Sequence, residues 1–143
     1  MLALGLALGC GQNSNGGDAG VGCTRDVRAD TYAARLSKPG RSGALTFELV
    51  SSEPAPPARG DNRWVLRVLD ASSAAVTGAT LTVSPFMPDH GHGTSVAPQV
   101  TASGDSYEAR PLNLFMPGLW QTTVGARTAN GNDEAVFSFC IEG

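Results

Sequence analysis

Both histidines of the chain, His90 and His92, lie on one short segment that begins with a methionine, Met87. A single glycine separates the two histidines, so in an extended backbone their side chains point to the same side. Gly91 and Gly93 permit the turns that would bring both rings toward one ion. Two imidazole ligands on one loop are therefore the first chemistry that the sequence offers.

A soft sulfur donor can complete such a site. Met87 precedes His90 by three residues, and Met116 belongs to a second Met-Pro segment, which reaches the same ion if both loops lie at one end of the domain. Imidazole combined with thioether sulfur prefers copper to Mg²⁺ or Ca²⁺. The sequence thus predicts a copper site formed by Met87, His90, His92 and Met116.

The same two segments also have a purely structural interpretation. His-Gly-His can belong to a turn, while Met87 and Met116 can fill the core beneath the loops and Pro88 and Pro117 can fix the loop backbone. Neither Glu-x-x-His nor His-Glu-x-x-His, the spacings of hydrolytic zinc sites, occurs in the sequence. The residues alone leave both interpretations open.

The sequence argues against catalysis and against nucleic-acid binding. Asp89, His90 and Ser95 could supply a Ser-His-Asp set, but the Gly-x-Ser-x-Gly nucleophile elbow is missing. A formal net charge of −3 gives no basic surface that could replace the counterions of nucleic-acid phosphates. We therefore expect a protein that is not an enzyme and has no nucleic-acid partner.

The N-terminus resembles an export signal. Residues 1–10 are apolar and end in small residues before Cys10, which predicts a lipoprotein signal with lipid attached to that cysteine. The segment is shorter than the roughly 20 residues that a membrane-spanning helix needs. Residues 11–22 are rich in Gly, Asn and Ser, and predict a flexible tether. The alternative is a buried N-terminal segment with an incidental cysteine.

Two cysteines remain once Cys10 is lipidated, and they lie near the two ends of the predicted domain, residues 23–143. An even number of cysteines in an oxidising compartment favours a disulfide between Cys23 and Cys140. The alternative is a two-thiolate metal site, although such sites usually contain closely spaced cysteine pairs.

The secondary-structure elements that must position the candidate ligands are predicted to be β-strands. The chain contains 18 Gly and 9 Pro, and its apolar residues alternate in short runs separated by turn residues. Alternation is clear at Trp64, Leu66 and Val68, for example, which predicts one buried face. Seven strands are predicted, at residues 44–50, 63–70, 79–85, 96–102, 106–112, 119–127 and 134–142. Their number and spacing favour an all-β, immunoglobulin-like two-sheet antiparallel sandwich, with a closed barrel as the rival.

Residues 44–142 resemble the YtkA-like/FixH-like family of bacterial envelope domains. The resemblance rests on Gly78 to Pro85, on the Met-Pro-Asp-His-Gly-His-Gly-Thr segment of residues 87–94, on Tyr107, and on Met-Pro-Gly-Leu-Trp at residues 116–120. It implies an immunoglobulin-like sandwich. FixH-like members are associated with copper supply to respiratory oxidases, which implies a copper transporter or an oxidase assembly partner.

Together these features predict a lipid-anchored, periplasm-facing envelope domain that binds or relays copper through its His/Met loop. The alternative is an interaction or structural module that docks a membrane partner without a metal. In that case the role of the Met-Pro loops would be only structural.

Overall fold

The structure, a computed structural model, describes residues 22–143. The predicted signal with Cys10, and the tether up to residue 21, lie outside these residues. A 3-10 turn, Cys23–Arg25, is followed by nine antiparallel strands within the described range. They are β1 (Leu36–Pro39), β2 (Thr46–Glu53), β3 (Gly60–Leu69), β4 (Thr80–Met87), β5 (His92–Gly93), β6 (Gln99–Ser103), β7 (Ser106–Leu114), β8 (Gly118–Thr128) and β9 (Gly131–Ile141).

The strands form two sheets, in the orders β1-β2-β3-β7-β6 and β5-β4-β8-β9. The two sheets have separate edges, so the predicted all-β sandwich is confirmed and the described residues do not form a closed barrel. In each sheet the inward-facing residues alternate with outward-facing ones, as in the eight residues of β4, which are exposed and buried in strict turn.

The prediction of seven strands is wrong, because β1 and β5 were missed. β1 has four residues, of which Leu36 is a half-buried leucine and Pro39 cannot donate to a ladder, so it gives almost no alternation signal. β5 has two residues and lies between the predicted strands 79–85 and 96–102. The other seven strands overlap their predicted positions, with ends that differ by up to three residues.

Aromatic side chains fill the space between the sheets. Trp64 on β3 is fully buried and packs edge-to-face against Phe137 and Phe139 on β9, with ring centroids 6.2 and 5.7 Å apart. Such geometry is the preferred contact between aromatic rings. Trp64, Leu66 and Val68 are all buried, so the buried face predicted from alternation on β3 is confirmed.

A disulfide joins the N-terminal segment to the last strand, as predicted: Cys23 bonds to Cys140 on β9. Asp30 continues this attachment, since its N–H donates to the carbonyl of Ser138 and its carboxylate accepts from the N–H of Ser138, both at 2.7 Å. The segment before β1 is thus fixed along the outer edge of β9.

At the opposite end of β9, the buried carboxylate of Asp133 organises the turn between β1 and β2. One oxygen accepts from the N–H of Ser42 at 2.9 Å, and the other from the N–H groups of Ala44 and Leu45 at 3.1 and 3.0 Å. Burial raises the pKa of this carboxyl, but the backbone donors outweigh burial and lower the pKa to about 2.

Asp133 should make the fold sensitive to acid. Because its folded pKa lies below the unfolded value of 3.8, its contribution is complete above about pH 4 and disappears as the pH falls toward about 2. We expect Asp133→Asn to lower the free energy of unfolding at pH 7 by about 2–3 kcal/mol. Denaturant unfolding between pH 2 and 7 measures both effects.

The matched control for this experiment is Asp105→Asn, because Asp105 is a half-exposed carboxylate that pairs with Arg67 at the surface. This variant should lose less than about 1 kcal/mol. Equal losses from both substitutions would contradict the role given to the buried carboxylate.

The two Met-Pro loops meet through Met87 and Gly118. Met87, the last residue of β4, is fully buried, and Gly118 begins β8 with φ at +132°. A Cβ placed on Gly118 would lie 2.8 Å from the Cε of Met87. Glycine is required here for its backbone conformation and for the room it leaves to the methionine.

We therefore expect Gly118→Ala to lower the free energy of unfolding by about 1–3 kcal/mol. Gly131→Ala is the control, since Gly131 has nearly the same φ, +130°, but a Cβ there would meet nothing within 4 Å. Thermal or denaturant unfolding compares the two. Losses of the same size would show that the contact with Met87 adds nothing to the backbone effect.

Candidate functional site

The turn between β4 and β5 brings the two histidines together. The carbonyl of Met87 accepts from the N–H of His90 at 3.2 Å and from the N–H of Gly91 at 2.8 Å, which closes one tight turn. Gly91 has φ at +70°, a conformation that suits glycine. The chain then returns along β4 with His92 directly opposite Met87.

The imidazole rings of His90 and His92 have centroids 5.8 Å apart and planes inclined by 50°. His90 is exposed, whereas His92 is half-buried. The Nδ1 of His92 lies 3.1 Å from the carbonyl oxygen of Gly93, which fits an Nδ1–H donor and leaves Nε2 with its lone pair. The structure thus brings the two predicted imidazole ligands to one place.

Aromatic residues of the second loop hold His92. Its ring stacks on Phe115 at 5.6 Å with an angle of 19°, and meets the edge of Trp120 at 6.2 Å. Trp120 is buried, and its Nε1–H donates to the carbonyl of Met116 at 2.9 Å. The Nε–H of Arg59 donates to the carbonyl of Phe115 at 3.0 Å. The second loop therefore supports one histidine by packing and is itself fixed by two hydrogen bonds.

The two predicted sulfur donors occupy different environments. Met87 has no exposed surface and belongs to the core, while Met116 is only partly buried and packs against the edge of that core. Both loops do lie at one end of the sandwich, because Phe115 touches His92. Sequence reasoning placed Met87 and Met116 in the site but missed Phe115 and Trp120, although both flank the second Met-Pro motif.

A charged group from the N-terminal segment also reaches this loop. Arg28 donates from Nη1 and Nη2 to the two carboxylate oxygens of Asp89, each at 2.9 Å, and also bonds to Asp26. Hydrogen bonding to Arg28 lowers the pKa of Asp89 and brings the pKa of Asp26 to about 2. Sequence analysis did not identify Arg28, which lies 61 residues from Asp89 along the chain.

Beside His92 a shallow depression of about 700 Å³ opens at the surface. Its wall includes the exposed side chains of Val96 and Phe115, together with Pro111, and the polar pair in which Asn113 donates to Asp61. The depression gives the histidine loop an apolar flank that a ligand or a partner could contact.

Within residues 22–143, no three His, Cys, Asp or Glu side chains converge in a way that could hold a metal ion. In the same part of the chain, no helix is long and apolar enough to cross a membrane.

Comparison with known proteins places the chain in a family. No curated protein and no solved structure matches it. The model of the YtkA-like family, however, matches residues 41–125, more than half of the 143 residues and a span that includes both Met-Pro loops. The chain therefore belongs to the YtkA-like family.

Proposed function

We propose that this protein is a lipid-anchored envelope domain that binds copper through His90 and His92 and relays it to a membrane partner, without catalysing a reaction. Membership in the YtkA-like family suggests an envelope-associated domain. The observation that carries the copper proposal is the pairing of the two imidazoles, 5.8 Å apart, at one end of the sandwich.

The separation of the rings suits a shared ion. Metal–nitrogen bonds to imidazole are about 2.0–2.1 Å, so two rings that bind one ion from opposite sides have centroids about 6 Å apart. His92 offers a free Nε2 from a ring held by Phe115, and His90 is exposed and can adjust its ring to the ion. One fixed donor and one adjustable donor can therefore meet on the same metal.

Copper is the metal that best fits the donors. No carboxylate joins the histidines among the described residues, so the pair offers neutral nitrogen rather than the oxygen that Mg²⁺ and Ca²⁺ require. We assign the sulfur ligand to Met116, which is partly exposed at this end, and a core role to Met87, whose methyl group packs against Gly118. Imidazole plus thioether is a soft set that suits Cu(I).

A copper titration tests the proposal. The full chain, loaded with Cu(I) in competition with a chromophoric chelator, should bind one equivalent, and His90→Ala/His92→Ala should lose this binding. Cu(II) is titrated separately. Thermal unfolding of the variant checks that the fold survives. Copper binding that the double variant retains would overturn the proposal.

The two methionines can be separated by replacing each with leucine, which removes the sulfur at nearly constant volume. We expect Met116→Leu to weaken Cu(I) binding by about tenfold or more, since even groups outside the ligand set change metal affinity about 10–100-fold. Met87→Leu should leave the affinity within about threefold and cost less than about 1.5 kcal/mol of stability. The reverse pattern would assign the sulfur ligand to Met87.

A second function is favoured by the exposed apolar side chains near the loop. Phe115 is 40% exposed and Val96 57% exposed, and both line the depression beside His92. They would serve an interaction module that docks a membrane partner with no metal. Crosslinking to a partner that persists in His90→Ala/His92→Ala, together with absence of copper binding, would select this function.

A further inference from the structure

The bond between Arg28 and Asp89 bears directly on the metal that the histidines can accept. Arg28 donates to both carboxylate oxygens of Asp89, and its Nη2 and Nε also bond to Asp26 at 2.6 and 3.0 Å. Paired N–H donors from one guanidinium match the geometry of a carboxylate, which makes this arrangement more specific than a single contact. Both oxygens of Asp89 are therefore engaged.

Arg28 lies on a segment whose backbone is attached to β9 on both sides of the arginine. Five residues before it, Cys23 is bonded to Cys140 on β9, and two residues after it, Asp30 exchanges hydrogen bonds with Ser138 on the same strand. The N–H of Arg28 also donates to the Asp26 carboxylate at 2.9 Å. The guanidinium thus reaches the histidine loop from a backbone attached on both sides.

Asp89 directly precedes His90 in the chain, which makes its carboxylate a candidate third ligand for a metal on the histidine pair. Two imidazoles and one carboxylate form a donor set that suits Zn²⁺ and other divalent ions, whereas two imidazoles and a thioether suit Cu(I). In the described residues this third donor does not converge with the histidines. Arg28, on the N-terminal segment, instead bonds both oxygens of that carboxylate.

We infer that Arg28 is a specificity-determining positioning residue, which withholds Asp89 from the His90/His92 site and so disfavours divalent ions relative to Cu(I). This inference rests on the proposed function, since it concerns the same histidine pair. An exposed ion pair of this kind should leave Asp89 free for roughly one molecule in five, so its removal should raise affinity for a divalent ion about fivefold.

The test compares Zn²⁺ and Cu(I) affinities of the full chain, each measured by competition with a chromophoric chelator. Arg28→Gln should bind Zn²⁺ about fivefold more tightly than the unaltered chain, with Cu(I) affinity changed less than about twofold. The gain should vanish in Arg28→Gln/Asp89→Asn, because the released carboxylate is then missing. Arg28→Lys keeps a charge beside Asp89 but lacks the paired guanidinium donors, so its Zn²⁺ affinity should lie between those of Arg28→Gln and the unaltered chain.

Arg25→Gln is the matched control for loss of one positive charge, because Arg25 forms no salt bridge among the described residues. The Arg25→Gln variant should bind Zn²⁺ with the same affinity as the unaltered chain. Equal Zn²⁺ affinity in Arg28→Gln and the unaltered chain would overturn the inference. A gain that persists without the Asp89 carboxylate, or that is equal for both metals, would also overturn it.

These outcomes are separate from failure of the copper proposal. If the unaltered chain binds no Cu(I), the proposed function fails. Even then, Zn²⁺ binding that Arg28→Gln gains and that needs both Asp89 and the histidines would support the withholding role of Arg28. If copper binds through the histidines but Arg28→Gln leaves Zn²⁺ affinity unchanged, only the inference about Arg28 fails.

Discussion

The contact between Met87 and Gly118 is the constraint on which the loop end of the molecule depends. Met87 is fully buried at the end of β4, and only a residue without a side chain leaves room for its methyl group at the start of β8. Because His92 pairs with Met87 across the β4–β5 ladder, the position of the methionine also sets the position of the histidine. Trp120, two residues after Gly118, then meets the His92 ring. The packing of Met87 in the core therefore also determines where His92 lies at the loop end of the sandwich.

The two ends of the sandwich are held by different forces. At the turn end, the buried carboxylate of Asp133 accepts backbone N–H groups from the β1–β2 connection, an arrangement that is directional and requires the ionised form. At the loop end, aromatic and thioether packing dominates, and Arg28 adds an exposed ion pair with Asp89. Packing fixes where the His92 ring lies, while the His90 side chain is exposed.

Much of this fold could be predicted from the sequence, because apolar and polar residues alternate along a strand that has one buried face. Trp64, Leu66 and Val68 are all buried, as their spacing indicates. The Cys23–Cys140 bridge also followed from counting cysteines. By contrast, β1 and β5 were missed because a strand of two or four residues with few apolar side chains has no periodicity to detect. Their pairing is imposed by neighbouring strands and by turn hydrogen bonds.

For the candidate site, the sequence identified the residues that share a segment and missed those that come from elsewhere. His90 and His92 are close because one tight turn connects them, a local effect that glycine spacing indicates. The stacking of Phe115 on His92 requires two loops to meet, and the bond from Arg28 to Asp89 requires the N-terminal segment to be fixed along β9. No local pattern encodes such contacts.

Under the copper function proposed above, the arrangement of the histidine pair suits transfer of an ion better than its retention. A storage or structural metal site surrounds the ion with ligands whose orientation is fixed by further hydrogen bonds. Here one imidazole is held by stacking on Phe115, while the other, His90, is exposed on the turn. If the pair binds copper as we propose, an incoming ligand from a partner would replace His90 first, while His92 still holds the metal. In the proposed relay, the stacking of His92 on Phe115 would favour this order of ligand exchange.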